Sequence, residues 1–272
     1  MTEQDLKSVS THFAFGENWS SYAETIDDQR IDEAIAGLKK LVGDDLSGLS
    51  FLDIGCGSGL HSLAAHRLSA ARVVSLDIDK HSVETTQTVL EKLGNQQIVD
   101  VRAASVFDLS PESMGEFDLV YSWGVLHHTG DMAAAVAKAA ALVKPGGRFV
   151  FALYRQTHLC PFWKVEKRWY SRAKPKAQQR ARKLYTALMR IAFFTVRRDF
   201  KDYVDSYQSS RGMNYEHDVH DWLGGYPYES IGAADVAEMM GGLGFMDERA
   251  FTQPKSLGIF GSGCDEFVYV RQ

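Results

Sequence analysis

The feature that most constrains this chain is the run Phe51-Leu52-Asp53-Ile54-Gly55-Cys56-Gly57-Ser58-Gly59, a short apolar strand that ends in an acid and then a glycine-rich turn. An apolar run of this kind suits a strand covered on both faces, as in a parallel sheet. Glycines at alternate positions remove Cβ atoms where the backbone turns sharply and approaches a ligand. Leu60 to Leu68 reads as the helix that follows, with its N-terminal amides facing that ligand. A nucleotide-like molecule is expected at this turn.

Two ligand classes compete for it. A pyrophosphate-binding turn follows Gly-x-Gly-x-x-Gly and rests the phosphates on the helix N-terminus. Here the third glycine comes one residue early, at Gly59, and Leu60 takes the expected position. Asp53, at the mouth of the strand, would repel a pyrophosphate and suits an ammonium group. S-adenosylmethionine carries that ammonium, a sulfonium and no phosphate. The next strand, Arg72 to Asp79, ends in an acid roughly 20 residues beyond the turn, where a carboxylate accepts from both ribose hydroxyls. Asp77 takes that role in this reading, and Asp79 reads as the cap of a helix beginning near Lys80.

A third strand, Ile98 to Ala104, is followed by Ser105-Val106-Phe107-Asp108, and a fourth, Phe117 to Ser122, by Trp123-Gly124-Val125-Leu126-His127-His128. With these motifs in order, the chain resembles the class I S-adenosylmethionine-dependent methyltransferases, in the broad group that includes the ubiquinone- and menaquinone-pathway methylases. Asp53 to Gly59 matches the first motif of that family and Asp77 its ribose acid. Phe117-Asp118-Leu119-Val120 matches its fourth-strand motif, and Leu142-Val143-Lys144-Pro145-Gly146-Gly147 the turn before its fifth strand. The resemblance covers about residues 45 to 153. It implies an α/β, Rossmann-like, doubly wound and mostly parallel seven-stranded sheet with an antiparallel last strand. It also implies that Gly55 and Gly57 approach the methionine moiety, within a turn that includes Asp53, Cys56 and Gly59, and that Asp77 holds the ribose. Ile78 and Val106 would sandwich the adenine. Ser105 stands where many relatives have an acid, so the adenine amine is left to backbone contacts around Phe107 or to Asp108. Trp123 falls where relatives line the cofactor from the fourth strand.

The 272 residues suit one α/β core with a substantial insertion. Cys56, Cys160 and Cys264 are scattered and odd in number, which fits a reducing compartment and no disulfide framework. The start lacks the basic and then apolar regions of a signal peptide, and no apolar run approaches about 18 residues, so a cytoplasmic protein is expected.

Gln29 to Val42 places Ile31, Ile35, Leu38, Leu41 and Val42 on one helical face and reads as a helix packed on the sheet. Upstream, the segment His12 to Tyr22 gathers four aromatics in a polar context. It reads either as a lid over the cofactor, within residues 1–28, or as an arm docked on the surface. After the fifth strand, Arg148 to Leu153, the closing helix and strands appear only at Gly232 to Gly242, Phe245 to Phe251 and Cys264 to Arg271. Tyr154 to Ile231 is too long for a loop and must carry its own structure. Residues 1–153 and 232–272 are therefore assigned to the core, and 154–231 to an inserted helical substrate cap.

Tyr154 to Arg211 holds 15 Lys and Arg against 4 Asp and Glu, whereas the whole chain holds 30 against 35. Leu184, Leu188, Ile191 and Phe194 or Thr195 mark an apolar face on a helix near Arg180 to Val196. Two readings stay open: a cap whose apolar face packs on the domain while its basic face is solvated, or a basic amphipathic surface for an anionic substrate or a membrane. No nucleic-acid-binding module is recognisable and the overall charge is acidic, so nucleic acid is not an expected partner. Residues 211 to 229 form the densest polar cluster, and their Gly and Pro content predicts a loop or broken helix. Arg211, Tyr215, His217, His220, Trp222, Tyr226 and Tyr228 are the candidate acceptor contacts. His217 and His220 could share a helix face; a metal site there is the alternative, although no metal is expected.

Methyl transfer from a sulfonium is an in-line displacement that needs an acceptor held on axis, water excluded and, for a hydroxyl or ammonium acceptor, a base. His127 and His128, just past the fourth strand, are the candidate bases because imidazole titrates near neutral pH. A structural or capping role near the helix at Asp131 is the alternative for one of them. The expected activity is transfer from S-adenosylmethionine, with S-adenosylhomocysteine as product, to a small-molecule or lipid- or sugar-linked acceptor, oxygen being favoured over carbon or nitrogen. A catalytically silent scaffold that binds the cofactor and uses its basic insertion to hold a partner is the alternative.

Overall fold

Strands of buried valine, leucine and phenylalanine, apolar toward both faces, build the middle of one sheet. The computed structural model describes residues 3–7, 13, 23, 26–94, 99–207 and 215–272. Its strands are β1 Ser50–Ile54, β2 Arg72–Asp77, β3 Val99–Ala103, β4 Phe117–Trp123, β5 Val143–Tyr154, β6 Phe245–Phe251 and β7 Cys264–Arg271. They lie in the order β3-β2-β1-β4-β5-β7-β6. The first five pair in parallel, and β7 runs antiparallel between β5 and β6.

The helices are α1 Glu3–Leu6, α2 Asp28–Val42, α3 Leu60–Arg67, α4 Lys80–Leu93, α5 Pro111–Met114, α6 Met132–Ala140, α7 Cys160–Tyr170, α8 Pro175–Thr195, α9 Phe200–Asp205, α10 Tyr215–Gly224 and α11 Ala233–Gly242. Adjacent strand residues point to opposite faces, so Phe51, Val73 and Leu119 meet Leu38, Leu41, Ala64 and Ala65 of α2 and α3 on one side. Leu52, Val74 and Val120 meet Val136, Ala139, Val236 and Met240 of α6 and α11 on the other. Each of the fully buried Val, Leu, Phe and Met side chains among them contributes about 1.5–3 kcal/mol relative to exposure. Asp27 starts α2 by accepting from the Arg30 amide at 3.0 Å, and Asp79 starts α4 by accepting from the His81 amide at 2.9 Å.

Strand β1 has β2 on one side and β4 on the other. The crossovers therefore leave in opposite directions and open a crevice beyond the carboxyl ends of β1 and β4, the place where open α/β sheets take ligands.

The chain leaves the sheet after β5 and returns before α11 at a single point. Arg155 and Ile231 form a parallel bridge, with the Ile231 amide donating to Tyr154 O and the Gln156 amide to Ile231 O, each at 3.0 Å. Between them lie α7 to α10, around a cluster formed by Cys160, Trp163, Tyr170, Tyr207, Tyr215, Val219, Leu223 and Tyr228. Part of the segment expected as a loop or broken helix is α10, whose first turn carries Glu216 and Asp218, favourable at the positive end of a helix. Beyond it the chain runs without regular structure through a cis Tyr226–Pro227 peptide.

Helix α8 corrects the expected packing. Leu184, Leu188, Ile191 and Phe194 do not face the domain; they are 63%, 48%, 59% and 82% exposed. The inward arc is Ala181, Tyr185 and Met189, spaced four residues apart, continued by Phe193 against Phe200 and Tyr203. The helix has two apolar arcs, and the one carrying Tyr185 and Met189 is turned inward, Met189 buried and its neighbours half-buried. Among the described residues no helix is long and apolar enough to cross a membrane.

Candidate active site

At the end of β1 the chain turns through Gly55 and Gly57, whose φ angles are 81° and 53°. A Cβ on Gly55 would lie 2.3 Å from Val125 Cγ2, so this turn and the segment after β4 touch backbone to side chain. The Gly55 and Cys56 amides donate to Leu76 O at 2.7 and 3.0 Å, and the Gly57 amide donates to Asp77 Oδ2 at 3.1 Å. A pyrophosphate would find those three donors engaged and a carboxylate facing it. The second Asp77 oxygen accepts from the Asp79 amide at 2.9 Å. Burial pushes the Asp77 carboxyl up to about 6 against the opposing pull of the Asp79 and Gly57 amides.

One cavity of about 1710 Å³ opens over this turn, and Gly55, Cys56, Gly57, Asp77, Ile78, Ser105, Val106, Phe107 and Trp123 all line it. Asp53 and Gly59 do not. Asp53 lies beneath the turn, 2% exposed, and accepts from Ser62 Oγ at 2.6 Å. Its carboxyl is pushed up to about 7 by burial, with the Ser62 hydroxyl pulling the other way and the Asp77 charge adding to the rise. Gly59 caps α3 in a left-handed conformation and sits so close to α4 that a Cβ would approach Thr86 Cα to 3.0 Å. These two residues shape the turn from behind. Ser105 caps the short turn Val106–Asp108 by accepting from the Phe107 amide at 3.4 Å. Asp108 is paired with Lys7 at 2.8 Å and is not part of the cavity wall. Trp123, 44% exposed, donates from its indole nitrogen to Glu266 at 2.9 Å.

Arg30 was not singled out from the sequence, where it reads as one polar residue on an amphipathic helix. It is 6% exposed, lines the cavity and is held by Asp27 at 3.2 Å. Its burial, not any motif, marks it.

His127 and His128 occupy the turn Leu126–His128 after β4, and both line the cavity. Their hydrogen bonds fix opposite tautomers. Nδ1 of His127 accepts the Tyr154 amide at 3.2 Å, so the proton of the neutral ring sits on Nε2. That nitrogen is buried with no hydrogen-bond partner among the described residues. Burial, then the neighbouring His128 and Lys167, hold the His127 imidazole well below its ordinary value, so it stays neutral. His128 instead directs Nδ1 at the Pro227 carbonyl, 2.7 Å away, which must receive a proton. Nε2 is thereby the accepting nitrogen of the neutral His128 ring. A Cβ on Gly225 would lie 2.6 Å from His128 Cε1, so the glycine makes room for the ring.

The insertion supplies the opposite wall. Tyr215 and Trp222 line the cavity, with Tyr154, Tyr185 and Met189 beside them. His220, Tyr226 and Tyr228 do not. His220 Nδ1 faces Tyr170 Oη at 2.7 Å and Arg182 at 2.9 Å. Tyr226 contributes its carbonyl to the Phe13 amide at 2.9 Å. Tyr228, 2% exposed, sends its hydroxyl toward Cys160 Sγ and Ser262 Oγ, each at 3.2 Å. Arg211 and the side chain of His217 lie outside the described residues. Of the aromatic segment His12 to Tyr22, Phe13 is described; it lines the cavity and packs on Gly224. Lys167 is fully buried behind this wall, its ammonium 3.5 Å from the Trp222 ring centroid and without a hydrogen-bond partner among the described residues.

Residues 52–151 match the family described as a methyltransferase domain. The chain is also 37% identical over 113 residues to a ubiquinone biosynthesis O-methyltransferase of Xanthomonas oryzae pv. oryzae, which is 42% of this chain and 46% of that protein. This chain carries a class I S-adenosylmethionine-dependent methyltransferase domain. The Xanthomonas campestris pv. campestris protein of the same name is 38% identical over 112 residues, 41% of this chain and 46% of that one. The chain thus spans less than half the length of these curated relatives. Beyond the methyltransferase domain the likeness is one of fold. A methyltransferase of Mesorhizobium loti superposes with a TM-score of 0.54 at 18% identity, covering 89% of this chain and 100% of that one. The magnesium protoporphyrin IX methyltransferase of Synechocystis PCC 6803, solved with bound SAH, gives 0.52 at 19% identity, covering 90% and 83%.

Proposed function

We propose that the protein transfers a methyl group from S-adenosylmethionine to an oxygen of a bulky small-molecule or lipid- or sugar-linked acceptor. The observation that carries this reading is the continuity of one cavity, with the glycine turn and Asp77 on one wall, Tyr215 and Trp222 of the insertion on the other, and His127 and His128 between them. At about 1710 Å³ it exceeds the range of about 300–1,000 Å³ usual for one ligand, which leaves space for an acceptor beside a cofactor.

S-adenosylmethionine supplies an electrophilic methyl group at its sulfonium. Asp77 would accept from the ribose hydroxyls, Ile78 and Val106 would flank the adenine, and the buried Arg30 guanidinium would meet the methionine carboxylate. The engaged amides of the glycine turn and the facing carboxylate suit a ligand without a pyrophosphate. On the acceptor side, the buried neutral His127 ring would brace the His128 imidazole from behind, their centroids 4.4 Å apart. His128 would take the hydroxyl proton at Nε2, with the Pro227 carbonyl supporting the charge that develops on the ring. The O-methyltransferase names of the relatives favour oxygen as the acceptor atom. Three free thiols favour a reducing compartment, the cytoplasm.

Calorimetry with S-adenosylhomocysteine and with NAD tests the cofactor, and transfer of labelled methyl to phenols, catechols and quinols tests the acceptor. Heat with S-adenosylhomocysteine alone, and label in a phenolic oxygen, are the expected results. Preference for NAD would end the reading; S-adenosylhomocysteine binding without transfer to any acceptor would favour a silent scaffold.

A further inference from the structure

The outer face of α8 is apolar and, among the described residues, has nothing over it. Leu184, Leu188 and Ile191, spaced four and three residues apart, lie on one side of the helix, and Phe194 extends the stripe. At 48% to 82% exposure, four large apolar residues in a row exceed the scattered single residues that a solvated helix normally carries. Arg180 and Lys183 precede the stripe and Arg197 and Arg198 follow it, all exposed. Across residues 160–198 there are 12 Lys and Arg and one acid, Glu166. On α7, Phe162, Val165 and Trp169 are exposed as well, at 58%, 70% and 52%, with Lys164 and Arg168 among them.

We infer that α8 docks the protein on an anionic lipid surface. Apolar side chains bordered by cations are what a helix lying in the plane of a bilayer interface requires, since the former enter the acyl boundary while the latter meet negative headgroups. A nucleic acid would match the charge and leave the apolar stripe in water; a protein partner would match the stripe and need an acidic rim. The same helix turns Tyr185 and Met189 into the cavity from its other arc. Docking there would bring a helix that walls the cavity against a surface in which an acceptor with a lipid tail is concentrated. The docking itself does not rest on methyl transfer.

The test is flotation of the full chain with vesicles of phosphatidylcholine alone and of phosphatidylcholine mixed with phosphatidylglycerol. Binding is expected to the mixed vesicles, weakening as salt rises, and to fall at least tenfold in Leu188→Glu/Ile191→Glu. These side chains are exposed and away from the cavity wall, so the variant is expected to keep its thermal midpoint and its affinity for S-adenosylhomocysteine. Equal flotation of the folded variant and the parent would overturn the inference, as would binding by neither vesicle type. Loss of a self-associated species in the variant without any vesicle binding would assign the stripe to a second copy of the chain, and retardation of RNA abolished by the same substitutions would assign it to nucleic acid; either result overturns it too.

Discussion

Asp77 does two things with one carboxylate, ordering the glycine turn through the Gly57 amide and facing the cavity. Its replacement by Ala should weaken S-adenosylhomocysteine binding by about 1.5–3 kcal/mol, roughly 10- to 100-fold, in a protein that still folds. Unchanged affinity by calorimetry would remove the ribose assignment. Ribose hydroxyls donate, so they need the ionised acid. Because burial raises this carboxyl to about 6, affinity should rise as pH increases through that value, and Asp77→Asn should flatten the profile. Stability runs the other way. Asp53 and Asp77, raised to about 7 and about 6, bind more protons folded than unfolded above the ordinary carboxylate range. Their joint contribution to stability is therefore present in acid and declines as pH climbs through those values. Denaturation by urea at a series of pH values, comparing the parent with Asp53→Asn, reads that slope directly.

At the scale of the element, α7 holds a lysine in an unusual place. The Lys167 ammonium is caged by Trp222, with Tyr228 and Tyr154 farther off at 5.4 and 6.0 Å, and burial drives its pKa down against the attraction of Glu166, Asp218 and Asp221. A lysine depressed in the folded state binds fewer protons there than when unfolded, so its destabilising effect is greatest at low pH and fades as pH rises toward the free-lysine value. Lys167→Met should then raise the urea midpoint at about pH 7 and show a smaller gain at about pH 9.5, since a buried charge exchanged for a packed apolar chain is often neutral or stabilising. A loss at both pH values would mean that the cation–π contacts outweigh the cost of burial. The sense in which α8 packs was not readable in advance for a related reason. Leu184, Leu188 and Ile191 form an apolar face by periodicity, but so do Ala181, Tyr185 and Met189, and only the fold decides which arc meets aromatic partners. The inner strands β1, β2 and β4 were readable because each is a short, largely apolar run closed by turn residues. The tautomers of His127 and His128 were not, since Tyr154 N and Pro227 O, which set them, lie far along the chain.

For the whole molecule, the proposed reading gives cofactor and acceptor separate walls of one cavity. Substituting Trp222 or Tyr215 by Ala should lower methyl transfer while leaving S-adenosylhomocysteine affinity within about threefold, roughly 0.65 kcal/mol. Loss of cofactor binding in both folded variants would show that the insertion belongs to the cofactor site. A ligand at about 100 times its dissociation constant adds about 2.7 kcal/mol to stability. S-adenosylhomocysteine should thus raise the melting temperature by about 5–10 °C, a check on binding that is independent of calorimetric heat. The core could be assigned from sequence because its motifs are local, each a strand with the turn after it. Arg30 shows what such reading misses, a residue that reaches the cavity from a helix with no motif of its own.

The Arg155–Ile231 bridge has a consequence for how such proteins diversify. The insertion departs and returns through two hydrogen-bonded neighbours, so its ends lie about 4.8 Å apart, one strand spacing. If the segment sets the acceptor, as proposed, its exchange between lineages would change what is methylated in a single genetic event while the sheet and its glycine turn are inherited unaltered.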